Sequence, residues 1–115
     1  MDIAAIQKKL RKFTQDRDWE QYHTPKNLSM ALAVEAAELV EIFQWMTTEE
    51  SIATKDSNDH SQRVGEEVAD IMNYVLRLTD VMGIDLEKVV LDKICKNANK
   101  YPAAGSATPR STKCT

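Results

Sequence analysis

The chain has 115 residues, a formal net charge of −3 and a pI near 5.4. That length suits one domain, and the lack of a broad basic excess argues against binding to a duplex phosphate backbone. Hydrophobic residues make up 43% and charged residues 29%, the balance of a soluble globular chain, and no apolar run approaches the roughly 20 residues of a membrane span.

Only three glycines and three prolines occur, too few for the frequent turns of an all-β fold. The first helix is expected over residues 2–16. Asp2 serves as its N-cap, and Ile3, Ile6, Leu10 and Phe13 recur at helical spacing. The N-terminus carries its charges inside this amphipathic pattern and does not read as a secretory signal. Residues 16–27, "DRDWEQYHTPKN", are polar and aromatic without a period, and Thr24-Pro25 opens a second helix running to Met46. Thr47 or Thr48 caps a short helical turn to Ala53, and residues 54–61 read as a loop. A third main helix is expected over 59–82, with Val64, Val68, Ile71, Val75, Leu78 and Met82 as its seam and Gly83 as its C-terminal cap. Asp85 starts the last helix, which turns Leu86, Val89, Val90, Ile94 and Cys95 inward until Pro102 stops it. The expected fold is an all-α bundle of four main helices over residues 1–102, followed by a disordered tail, 103–115. Cys95 and Cys114 suit a reducing, cytoplasmic setting, and no disulfide between them is expected.

The second helix poses a chemical question. Leu28, Leu32, Leu39, Ile42 and Met46 form one stripe, and the step between Leu32 and Leu39 is Glu35, an acid in the seam. Glu38 lies three residues on and shares its face, and Glu67 and Asp70 repeat the spacing on the third helix. A lone acid pair on a helix is ordinarily a solvated face. Four inward-leaning carboxylates would repel and take up protons unless a hard cation such as Mg²⁺ gathered them. Facing helices of a bundle supply that kind of site. Spacing alone leaves both readings open, with Glu41 and Glu66 at the periphery.

These residues resemble a known family, the MazG-type all-α nucleotide pyrophosphohydrolases, and within it the dCTP pyrophosphatase branch. The likeness rests on Glu35-Ala-Ala-Glu38 followed by Glu67-Val-Ala-Asp70, together with "RDWEQYHTPKNL", "ELVEIFQW" and "KNANKYP", and covers residues 3–102. It implies a MazG-like four-helix bundle assembling as a dimer or a dimer of dimers, with sites between helices of associated subunits. It also implies Mg²⁺-dependent hydrolysis of a nucleoside triphosphate to monophosphate and pyrophosphate, with Mn²⁺ as a substitute ion. The resemblance makes Glu35, Glu38, Glu67 and Asp70 the metal ligands. Glu38 is the candidate general base or bridging ligand. One departure from the family pattern is a short link between the second and third main helices, which alters whatever covers the site.

Other residues carry paired readings. Trp19 and Trp45 are either base-stacking platforms or packing residues, and the resemblance favours base contact. His23 is a substrate contact or a hydrogen-bonded structural histidine. Tyr74, four residues past Asp70, packs on the sugar or in the core. Lys93, Asn97 and Lys100 recur on one face of the last helix and either hold the triphosphate or form a solvated face, while Lys26 and Asn27 offer further donors. There is no Gly-rich phosphate loop and no nucleophilic triad, so direct attack by water is the simplest mechanism. A dCTP-like substrate in nucleotide-pool cleaning heads the expectations, with no nucleic-acid or membrane partner. The rivals are a phosphoribosyl-ATP-type pyrophosphohydrolase and a non-catalytic oligomeric helical module. A di-iron bundle would need Glu-x-x-His pairs, and neither His23 nor His60 sits in one.

Overall fold

A computed structural model describes residues 1–104 and Cys114. Among these residues the secondary structure is entirely helical. The chain divides into two compact units, Met1–Met82 and Gly83–Thr115.

The first unit opens with helix α1, Ile3–Asp16, capped by Asp2, whose carboxylate accepts from the Ala5 N–H at 3.0 Å. The chain then reverses through Asp18, which holds a left-handed φ of 55°, a conformation aspartate tolerates better than most residues. The aperiodic segment is thereby ordered into a short 3₁₀ turn, Glu20–Tyr22. Helix α2, Pro25–Phe43, follows with Thr24 as N-cap, and ends three residues before the expected Met46. Helix α3, Thr48–Ala53, starts in a full capping box. Thr47 Oγ1 accepts from the Glu50 N–H at 3.1 Å, and Glu50 accepts from the Thr47 N–H at 3.3 Å.

Helix α4, Asn58–Met82, begins inside the stretch expected as a loop. The signal lies in Ser57, whose hydroxyl accepts from the His60 N–H at 3.4 Å and meets the His60 ring at 3.0 Å. Helix α4 packs against both α2 and α1. Leu28 and Leu76 at this junction are each 1% exposed, and Ile42 is buried with them.

The α4 seam differs from expectation. The fully buried positions are Leu76, Arg77 and Thr79, whereas Val68 and Met82 stay exposed and Val64, Ile71, Val75 and Leu78 are half-buried. With neighbours on two sides, the buried line falls between the α1 and α2 faces rather than along a single stripe. Gln7 of α1 reaches the Leu76 carbonyl and the Thr79 hydroxyl, both at 3.3 Å.

The second unit holds helix α5, Leu86–Lys100, capped by Asp85. It is preceded by Gly83, whose φ of 65° is the left-handed cap expected there. Val89, Val90 and Ile94, expected to face inward, are exposed. Cys95 is joined to Cys114 by a disulfide, which corrects the expectation of two thiols. Compartment bears on redox state and says nothing of proximity, and a sequence separation of 19 gave no signal that the two would meet. Apart from Ala103, Ala104 and Cys114, the expected tail lies outside the described residues.

Candidate active site

The acids of α2 and α4 converge where those helices pack. Carboxylate oxygens of Glu35, Glu38 and Glu67 lie within 4.8 Å of one another, and all three residues are half-buried. The Oε2 atoms of Glu35 and Glu67 are both shielded from solvent and receive no hydrogen bond. Such orphaned oxygens are costly in a folded protein unless a ligand satisfies them. Asp70, the fourth expected acid, is exposed and stands outside the close trio, but it lines the same cavity as Glu35.

Electrostatics follow from this crowding. Burial, then the adjoining Glu38 carboxylate, with Glu67 and Asp70 beyond it, pushes the Glu35 pKa up to about 7. Glu67 is raised as well, first by burial and then by the charges of Glu38 and Asp70. A trio of carboxylates, with Glu35 and Glu67 raised in pKa and each carrying an unsatisfied oxygen, fits a hard divalent cation, which prefers oxygen donors and supplies the missing positive charge.

Beside the acids lies a cavity of about 410 Å³ between α1, the 3₁₀ segment and α4. Of the expected substrate residues, Trp19, His23 and Tyr74 line it. The turn at Asp18 sets Trp19 edge-on to Phe13, with ring centroids 5.8 Å apart, and 6.5 Å from His23. Of the other residues on this wall, Lys9, Thr14, Asn73 and Arg77 were not singled out from sequence, while Leu10 and Phe13 were read only as the apolar face of the first helix. Asn73 and Arg77 follow Asp70 by three and seven residues, so the helical repeat of α4 held a usable signal for both. Lys9 and Phe13 sit on α1, whose apparent role was packing alone.

The remaining expected residues are placed elsewhere. Trp45 follows the end of α2, is 89% exposed and does not line the cavity. Lys93, Asn97 and Lys100 are exposed on α5 in the second unit, and the Lys100 ammonium lies over the Tyr101 ring at 5.3 Å. The Asn27 side chain donates to the Tyr22 carbonyl at 3.0 Å and so closes the 3₁₀ segment. A second, polar cleft of about 350 Å³ is walled by Glu38, Glu41, Glu66 and Glu67 and contains one cation, Arg63.

An all-α unit with carboxylates gathered from two packed helices beside an aromatic cavity is the class that the fold and the site define. The chain belongs to the MazG-like family, whose model matches residues 30–109. It is 38% identical over 101 residues to human dCTP pyrophosphatase 1, covering 88% of this chain and 59% of that protein. The bovine dCTP pyrophosphatase 1 is likewise 38% identical, over 87% of this chain and 59% of its own length. The chain thus spans about three-fifths of the length of the curated relatives it matches. A crystal structure of a pyrophosphatase from Archaeoglobus fulgidus superposes with a TM-score of 0.82 at 38% identity, covering 90% of this chain and 94% of that one.

Proposed function

We propose that this protein hydrolyses nucleoside triphosphates to the monophosphate and pyrophosphate, with dCTP or a modified cytosine nucleotide as the favoured substrate. The observation that carries this reading is the convergence of Glu35, Glu38 and Glu67 within 4.8 Å, two of them with shielded, unbonded oxygens, beside a cavity walled by Trp19 and Tyr74. Similarity to dCTP pyrophosphatase 1 and to an archaeal pyrophosphatase supports the reaction class.

Glu35, Glu38 and Glu67 would hold Mg²⁺ or Mn²⁺, with Asp70 completing the acidic wall. A bound cation would neutralise phosphate charge and acidify water. The protein's own residues do the rest. Trp19 and Tyr74 receive the apolar faces of the nucleoside in the cavity. A Glu38 carboxylate oxygen takes the proton of the water that attacks the α-phosphorus. The bond from that phosphorus to the bridging oxygen breaks, and pyrophosphate leaves. A cation for the phosphate tail comes from Arg63 in the polar cleft.

A second copy of the chain completes the site. Trp45, Met30, Val34 and Val40 on and after α2, and Val89, Leu91 and Ile94 on α5, are exposed in one protomer. Apolar faces of this extent ordinarily mark an association surface. We place the enzyme in the cytoplasm as a dimer or a dimer of dimers, acting in nucleotide-pool cleaning.

The test is product analysis with each dNTP, each NTP and phosphoribosyl-ATP, with and without Mg²⁺. Pyrophosphate and dCMP from dCTP are expected only with the cation. Orthophosphate as first product, or no turnover of any triphosphate, would refute the reading.

A further inference from the structure

Arg77 is a charged residue on the cavity wall, yet its side chain is only 8% exposed. It is held from below by Asp80, whose Oδ2 accepts from Arg77 Nη1 at 3.3 Å and from Arg11 Nε on α1 at 2.7 Å. This leaves Arg77 Nε to donate to His23 Nδ1 at 3.3 Å. A guanidinium has no acceptor and does not lose its proton in proteins. The Nδ1 atom must therefore offer a lone pair. The ring proton of a neutral imidazole then resides on Nε2. Burial, and next the Arg77 charge, hold His23 below its ordinary pKa, so the ring stays neutral at pH 7.

We infer that His23 is a donor of fixed tautomer that recognises a neutral acceptor on the bound nucleoside, a base carbonyl or ring nitrogen, and that Arg77 is the positioning residue that fixes it. The chemistry selects an acceptor because Nε2–H can only donate. A base that presents an N–H at that point meets two opposed donors and is disfavoured. This inference rests on the proposed nucleotide-hydrolysing function for its ligand class, but the tautomer does not depend on turnover.

The experiment reads the His23 ring nitrogens by two-bond ¹H–¹⁵N correlation at pH 7, without and with dCMP, and measures kcat and KM for dCTP. The wild-type ring is expected to show the Nε2–H pattern, and dCMP is expected to shift Nε2. Arg77→Met is expected to give mixed tautomers and raise KM about tenfold with kcat little changed, the loss of one buried hydrogen bond. His23→Phe should raise KM similarly, while His23→Gln, which keeps an amide donor at comparable reach, should restore most of the affinity. Should Arg77→Met fail to fold, the wild-type spectrum and the two His23 variants decide the matter. An Nδ1–H or doubly protonated ring in the wild type, an Nε2 signal indifferent to dCMP, or an unchanged KM in His23→Phe would overturn the inference. A wild-type protein that hydrolyses no triphosphate would instead overturn the function proposed above, and the spectrum with dCMP would still judge His23.

Discussion

Glu35 occupies a position that a core leucine would fill, and its carboxylate is raised to about 7 by burial and by Glu38, Glu67 and Asp70. Without a cation, the folded state holds a proton between the ordinary carboxylate value of 4.5 and about 7 that the unfolded chain has released. Its contribution to stability is therefore full below the lower value and declines as pH rises through the upper one. A divalent cation must displace this proton. Calorimetric titration of Mg²⁺ below pH 7 should thus release protons, shown by different apparent heats in buffers of different ionisation enthalpy. Affinity should weaken up to about tenfold for each pH unit below 7. Glu38→Gln should lower pyrophosphate release by about 10²-fold or more, the scale of a lost general base. It should also leave the metal-free fold at least as stable in a thermal melt, because one of three crowded carboxylates has been neutralised.

At the scale of elements, α4 is the helix on which the unit depends. It carries Glu67 and Asp70 toward α2, and Arg77 and Thr79 toward α1, so one rigid rod sets both the acidic trio and the cavity wall. Leu76, 1% exposed, is its deepest anchor. Leu76→Ala should cost about 2–5 kcal/mol in denaturant unfolding. It should depress activity only in proportion to the unfolded fraction, since its side chain is not on the cavity wall. The starts of α1, α2, α3 and α5 were legible from local chemistry, whereas α2 ends before the expected Met46 and α4 begins inside the expected loop. Asp2, Thr24, Thr47 and Asp85 each cap the helix that their position announces. The buried line of α4 was not legible, because a 3.6-residue period gives a face but not the number of neighbours that share it.

For the whole molecule, the exposed apolar residues of α2 and α5 are the governing feature. Val34 is 56% exposed and Ile94 60%, and exposed apolar faces of this kind ordinarily mark an association surface. Light scattering coupled to size-exclusion chromatography should therefore report a dimer or larger, and Val34→Glu should shift it toward monomer with loss of turnover. A monomeric wild type would refute the assembly.

The sequence by itself determined the all-α class, the capped starts of α1, α2, α3 and α5 and the two acid pairs, since caps and three-residue spacings act within a single helix. It also marked Trp19, His23 and Tyr74, which do line the cavity. Only tertiary packing decided that Glu35, Glu38 and Glu67 draw together while Asp70 stands at the cavity edge. Packing also left Trp45 out in solvent, joined Cys95 to Cys114, and made Arg77 a buried partner of His23. Each of these depends on the distance and rotation between segments far apart in the chain, and a local spacing rule carries no information about either.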